Sequence, residues 1–206
     1  ACEKSDVATA LKETLAEYGT IDILVNGAGG SRKETTTSNE LTFFDMEPGD
    51  MKAVLSLNYL SAIIPSQAVG RIFSERKSGV ILNISSIAGI LPLTRAISYS
   101  DGKAAVNSFT RWLAVHMAQD YSPEIRVNAI APGFILTEQN RFLLTDEKTG
   151  EMTERGKQIL KSVPTARYGK PREIVGAALW LVSDAASFVT GAVIPVDGGY
   201  SAFSGV

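Results

Sequence analysis

The sequence predicts an α/β protein, a parallel sheet wound on both faces by helices. Three observations carry this. Continuous apolar runs stand at residues 21–25, 79–84 and 125–131, as expected of parallel strands buried on both faces. Each run empties into a loop of small residues: Asn26-Gly27-Ala28-Gly29-Gly30, Ser85-Ser86-Ile87-Ala88-Gly89 and Pro132-Gly133. The segments between the runs are long enough for the helical crossovers that parallel strands require. Ligands of such sheets bind beyond the carboxyl ends of the strands, so these three loops are where chemistry is expected.

The elements follow in order. Val7, Leu11 and Leu15 recur at helical spacing, and Gly19 stands where a C-terminal cap glycine belongs. After the strand at 21–25, residues 31–46 form a polar, Thr-rich loop containing Arg32 and Lys33. A helix is predicted from Pro48 to about Arg76, with a proline comfortable at its start and a kink expected at Pro65 within it. The strand at 79–84 leads to a long helix from about Tyr99 to Gln119. A Tyr121-Ser122-Pro123 turn then precedes the strand at 125–131. Residues 137–163, charged and containing Thr149-Gly150, suit a lid of short helices over a substrate. A helix from Pro171 to Ser183 and a strand at 192–196 close a single domain spanning 1–206, with no repeat, linker or low-complexity tract.

Composition narrows the function classes. The chain has 206 residues, 45% of them hydrophobic, and a net charge of -2 with Lys and Arg scattered. That balance offers no field for nucleic acid or an anionic membrane. Asn58, Pro65 and Gln67 interrupt the most hydrophobic stretch, so no membrane span is expected. The one cysteine, Cys2, forms no internal disulfide and fits a reducing, cytoplasmic setting. The one histidine, His116, leaves no scope for a zinc cluster, so no metal is expected and His116 reads as a polar contact on a helix.

Chemistry concentrates in Ser98-Tyr99-Ser100-Asp101-Gly102-Lys103. Residues four apart share a helix face, so Lys103 is expected to place its ammonium near the Tyr99 phenol. A phenol with a pKa of about 10 is a poor acid or base at neutrality, and a nearby cation draws it toward the working range. Ser86 stands thirteen residues earlier at the end of a predicted strand, where its hydroxyl is well placed to bind a ligand.

With Asn58 added, the chain resembles the short-chain dehydrogenase/reductase family. Its Asn-Ser-Tyr-Lys tetrad maps onto Asn58, Ser86, Tyr99 and Lys103. The likeness extends to the turn at 26–29, Pro132-Gly133 with Thr137, Arg167-x-Gly169-x-Pro171-x-Glu173, and the ending Val196-Asp197-Gly198-Gly199. It implies a Rossmann-like doubly wound sheet and an NAD(P)-dependent enzyme interconverting a secondary alcohol and a ketone. In that reading Tyr99 exchanges a proton with the substrate oxygen, Ser86 donates to that oxygen, and Lys103 favours the phenolate and binds the nicotinamide ribose. Asn58 holds a water that links Lys103 to solvent. Asn26, Gly27, Ala28 and Gly29 pass close to the cofactor riboses, with Pro132, Gly133, Ile135 and Thr137 around the nicotinamide and phosphates.

The family's opening strand and Thr-Gly-x-x-x-Gly-x-Gly turn find no match, so the chain reads as lacking the first two βα units of the family. NAD and NADP are then not distinguished, because the discriminating residue follows the second strand. Asp101-Gly102 also departs from the family's usual Ala-Ser. The stretch from Ile135 to Arg141 and the ending from Val196 are similar to the D-mannonate oxidoreductase (fructuronate reductase) branch, which implies a sugar acid. Gln139, Asn140 and Arg141 would then meet the substrate, with Arg32, Lys33 and Arg95 as rival partners for its carboxylate. The alternatives are a 3-oxoacyl-thioester reductase of the same family and a non-catalytic cofactor-binding protein on the same fold. A serine hydrolase is excluded by the lack of a Gly-x-Ser-x-Gly elbow. The resemblance further implies a homo-oligomer, tetramer or dimer, through the two long helices and the last strand, with Trp112, Leu113 and His116 on one such face.

Overall fold

The computed structural model describes residues 1–137, 144–145 and 150–205. Its sheet has four parallel strands in the order β1 (Ile23–Asn26), β2 (Gly79–Ile84), β3 (Ile125–Pro132) and β4 (Val193–Val196). Helices α1 (Lys4–Tyr18), α2 (Pro48–Arg76) and α3 (Ile97–Asp120) lie on one side, and α5 (Arg172–Val182) lies on the other. A short helix, α4 (Glu154–Lys161), precedes α5.

Two apolar clusters follow from the alternation of strand side chains. Ile81, Ile125 and Val127 join Val69 and Phe73 of α2 and Leu113 and Met117 of α3. Leu82 and Ile130 point the opposite way and meet Leu181 of α5. The sheet is therefore doubly wound, as the continuous apolar runs implied. At the β1 edge, Leu24 packs into the first cluster while Ile23 and Val25 are 43% and 54% exposed.

The local signals behave as their chemistry dictates. Gly19 ends α1 in the left-handed region at φ 74°, donating its N–H to the Leu15 carbonyl at 2.9 Å. Helix α2 starts at Pro48 and runs as one unbroken element through Pro65. Pro65 supplies no N–H to the carbonyl four residues earlier, that of Ser61, so the helix loses one internal bond there. Helix α3 begins two residues before Tyr99 and carries the tyrosine in its first turn.

A polar ladder crosses the core beneath the strand ends. Asn26 and Asn83 are partners in the β1–β2 register, and Asn26 Nδ2 donates to Asn83 Oδ1 at 2.8 Å. Asn83 Nδ2 donates in turn to Thr110 Oγ1 of α3 at 2.9 Å. On the other side, Asn26 Nδ2 faces Ser66 Oγ and the Ala62 carbonyl of α2, while its Oδ1 is buried without a partner.

Arg126 of β3 is 6% exposed and directs its guanidinium under the end of α5. It donates to the carbonyls of Leu181 at 2.8 Å, Ser183 at 3.0 Å and Val189 at 3.4 Å. On α3, His116 stacks on Trp112 at 4.8 Å and meets Asp120 at 2.6 Å. Leu113 is buried in the core, whereas Trp112 and Val115 are more than half exposed.

Candidate active site

The carboxyl ends of β1 and β2 and the first turns of α3 converge on Lys103. Its ammonium, 4% exposed at the residue level, donates to the Ile84 carbonyl at the end of β2 at 2.9 Å. It lies 5.8 Å from the centre of the Tyr99 ring. The Ser85 hydroxyl donates to Asn107 Oδ1 at 2.5 Å and approaches the Lys103 carbonyl at 3.3 Å, while Asn107 Nδ2 donates to the Gly89 carbonyl at 3.0 Å. Gly89 is obligatory in this packing, because a Cβ there would sit 2.6 Å from the Lys103 carbonyl carbon and oxygen.

Asn58 closes the site from α2. Its Nδ2 donates to the Gly30 carbonyl at 2.7 Å and to the Val54 carbonyl at 2.9 Å, and its Oδ1 accepts from the Gly30 N–H at 3.1 Å. This reciprocal pair holds the loop after β1. Gly29 passes between two tetrad members, since a Cβ there would lie 2.6 Å from Asn58 Oδ1 and 3.2 Å from Lys103 Nζ. Ser61 adds a bond from its hydroxyl to the Ala28 carbonyl at 2.9 Å. Gly102, out of place by family habit, also has a physical reason: a Cβ there would strike Asn58 Cβ at 2.8 Å, so the glycine lets α2 and α3 approach at the site.

Ser86 begins the helical turn Ile87–Gly89, its Oγ accepting from the Ala88 N–H at 3.1 Å. Its hydroxyl also lies near enough to the Tyr99 phenol to oppose the upward push of burial on that group. The four residues thus form a continuous row: Asn58, the Gly29 backbone, Lys103, Tyr99, Ser86.

Electrostatics correct one expectation. Burial pushes the Tyr99 phenol above 10.0, with the Ser86 hydroxyl only partly opposing it, so Lys103 does not draw it down. Burial pushes Lys103 itself down from 10.5 to about 8. The helical spacing brings the cation near the ring, but removal from water dominates both groups.

The Lys103 shift has a measurable consequence. Below pH 8 both folded and unfolded chains hold the proton, and the folded one carries the cost of a buried ammonium. Between about 8 and 10.5 the folded chain releases it first, so stability rises with pH by on the order of 3 kcal/mol across that window. Tyr99 acts in the opposite sense above 10.0, where the folded chain keeps a proton that the unfolded one loses. Urea midpoints at about pH 7.5 and about pH 9.5, below and above the Lys103 transition near 8, should show the rise in the unmodified protein and none in Lys103→Met.

The other predicted residues are placed as follows. The Asn26 side chain turns into the polar ladder, leaving the backbone of Gly27, Ala28 and Gly29 along the loop. Pro132 ends β3, and Gly133 lies against Asp197, whose Cα a Cβ would meet at 2.6 Å. Ile135 pairs with Gly169 beside the Arg167–Glu173 ion pair of 2.7 Å, and Thr137 closes the described part of this strand-like segment. Gln139, Asn140 and Arg141 lie outside the described residues, as does part of the expected lid at 137–163. Sequence reasoning missed Arg155 and Gln158. They line a cleft of about 550 Å³ together with Arg95, Phe134 and Tyr200. Their only signal was the charged character of the segment that carries them.

A family model described as enoyl-(acyl carrier protein) reductase matches residues 1–201. The structure of a candidate D-mannonate oxidoreductase from Haemophilus influenzae, with NAD bound, superposes at a TM-score of 0.92 and 40% identity, covering 100% of this chain and 76% of that one. The chain belongs to the short-chain dehydrogenase/reductase family. As a member of that family it is an NAD(P)-dependent oxidoreductase. A 3-oxoacyl-[acyl-carrier-protein] reductase of Synechocystis is 35% identical over 199 residues, 96% of this chain and 72% of the relative. A 5-keto-D-gluconate 5-reductase of Escherichia coli K12 is 36% identical over 196 residues, 95% of this chain and 71% of the relative. Short-chain dehydrogenase/reductase relatives thus span thioester and sugar-acid substrates.

Among the described residues, no helix is long and apolar enough to cross a membrane and no cluster of His, Cys, Asp and Glu is arranged to hold a metal. The site does fit a nicotinamide riboside. Among the described residues Lys103 has one hydrogen-bond acceptor, leaving two ammonium protons for ribose hydroxyls, and the Gly29 backbone runs beside it without a side chain.

Proposed function

We propose that this chain interconverts a secondary alcohol and a ketone on a sugar acid, with Tyr99 as the proton-transfer group. The observation that carries this is the row from Asn58 through Gly29, Lys103 and Tyr99 to Ser86 at the ends of parallel strands. Bound NAD(P) supplies the two-electron donor or acceptor at the substrate carbon. In the reductive direction the Tyr99 O–H delivers its proton to the substrate oxygen, and in the oxidative direction the phenolate takes it back. The upward push of burial keeps Tyr99 protonated at neutrality, which suits reduction.

Ser86 Oγ accepts from the Ala88 N–H and its hydroxyl stands beside the Tyr99 phenol, so a substrate oxygen arriving between the two would take the Ser86 O–H as negative charge grows on it. Lys103 orients the ribose hydroxyls and sits over the Tyr99 ring. The side chain of Asn58 is committed to Gly30 and Val54, so its part is to fix the loop beside Lys103 rather than to carry a water on its amide. The likeness to D-mannonate and 5-keto-gluconate enzymes supports the sugar-acid class, and Arg95 and Arg155 in one cleft suit a carboxylate. The same reading includes a homo-oligomer in which the exposed Trp112 and Val115 of α3 are covered.

The test is a substrate screen on the full-length protein, read by the absorbance of the reduced nicotinamide. D-mannonate or a 5-keto-aldonate should be turned over with NAD or NADP, and acetoacetyl thioesters should not. Turnover confined to thioesters moves the chain to the acyl-reductase reading, and no turnover with either class removes the proposal.

A further inference from the structure

Resting on the sugar-acid reading, we infer that Arg95 and Arg155 form the carboxylate clamp that makes the site selective for acids over neutral sugars. Both line the cleft of about 550 Å³, a volume in the range of small-molecule sites. One wall of the cleft is the chain that leads into the helix of the proton-transfer residue: Arg95 stands four residues before Tyr99, in the loop that joins the Ser86 turn to α3.

That loop is held still. The Leu93 N–H donates to Ser100 Oγ at 3.1 Å, the Ala96 N–H to the Leu93 carbonyl at 3.2 Å, and the Thr37 N–H to the Arg95 carbonyl itself at 2.9 Å. Arg155 comes from a different element, the first turn of α4, whose start is fixed by the Thr153 hydroxyl accepting from the Gly156 N–H at 3.1 Å. The backbone that carries each arginine is thus fixed before a ligand arrives.

Neither guanidinium is neutralised by a neighbour among the described residues. Arg76 pairs with Asp22 and Arg167 with Glu173, each at 2.7 Å, but Arg95 and Arg155 have no carboxylate within ion-pair distance among the described residues. Among the described residues, the one acidic side chain lining the cleft, Glu154, is bound by Lys157 at 2.8 Å. Arg155 is half-buried with no counter-ion among the described residues, a position that favours an incoming anion. Gln158, one turn on from Arg155 along α4, adds an amide for hydroxyls. Phe134 and Tyr200, edge to face at 5.1 Å, offer an apolar surface to the carbon side of a polyol. Two unpaired guanidiniums, one amide and an aromatic surface match a hydroxy-acid of a few carbons.

The clamp is tested by calorimetric binding of D-mannonate and of D-mannitol to the full-length, cofactor-loaded protein. Arg155→Gln and Arg95→Gln should each weaken mannonate binding by about 10- to 100-fold and leave mannitol binding within about twofold. In turnover, the same variants should raise KM for the acid with kcat nearly unchanged, and Arg155→Lys should recover part of the loss. Mannonate binding that survives both Gln variants, or an equal loss for acid and polyol, overturns the clamp. Binding and turnover separate the two ideas. If the unmodified protein binds mannonate through these arginines but turns over no sugar acid, the function proposal fails and the clamp stands.

Discussion

Replacing Tyr99 with Phe should lower kcat by about three orders of magnitude and leave cofactor affinity within about twofold. The substitution removes one oxygen from a ring that keeps its place under Lys103 Nζ, 5.8 Å from the ring centre. Phenylalanine offers the same quadrupole to that ammonium, so packing and charge placement survive while the proton is gone. The Ser86 hydroxyl loses its phenol neighbour but still accepts from Ala88, which keeps the turn Ile87–Gly89 formed. Steady-state rates from the nicotinamide absorbance, with cofactor affinity from fluorescence titration, separate the two quantities. A Tyr99→Phe enzyme with kcat within tenfold of the unmodified one would sink the assignment of the proton to this residue, and a parallel collapse in cofactor affinity would make its role structural.

Arg126→Met should cost about 3 kcal/mol of stability. The guanidinium reaches the carbonyls of Leu181, Ser183 and Val189, which belong to the last turn of α5 and the loop that leads to β4. Carbonyls at a helix end have no partner within the helix, and the negative end of the helix dipole favours a cation there. Methionine fills similar volume but leaves buried acceptors without donors. For a chain of this length that loss corresponds to a melting temperature lower by about 6–12 °C. Arg126→Lys should recover part of it, because an ammonium keeps the charge but not the two-pronged reach. A melting temperature unchanged in Arg126→Met would show that water or a rearranged loop satisfies those carbonyls instead.

Much of the fold was legible because its signals are local. Gly19, Pro48 and the apolar strand runs act within a few residues of themselves, and the elements they predict coincide closely with α1, α2, β2 and β3. The tetrad positions were legible through family resemblance, and their spacing fits the geometry of one helix turn and one strand end. What escaped depends on groups distant in sequence. Arg126 sits in an otherwise apolar run, and nothing near it announces carbonyls 55 to 63 residues away. Asn26 reads as part of a cofactor turn, yet its side chain points inward to Asn83 and Ser66, a choice made by the facing helix. The direction of the Tyr99 shift was misread because spacing reports a neighbouring charge and says nothing of lost water. Arg155 lay unremarked in a charged segment, since only the fold brings it to the same cleft as Arg95.

The polar ladder from Asn26 through Asn83 to Thr110 acts as an index mark for the sheet. Aliphatic strands slide past one another at little cost in contact, since one Val or Ile packs much like the next. A one-residue slip of β1 against β2 would instead set an amide against an aliphatic side chain and leave buried donors and acceptors unpaired, at about 1–3 kcal/mol for each group. The two strands therefore lock at one alignment, and the loops beyond them start level. Gly29 meets Lys103 and Ser86 meets Tyr99 because two asparagines in the interior set the zero from which both loops are measured.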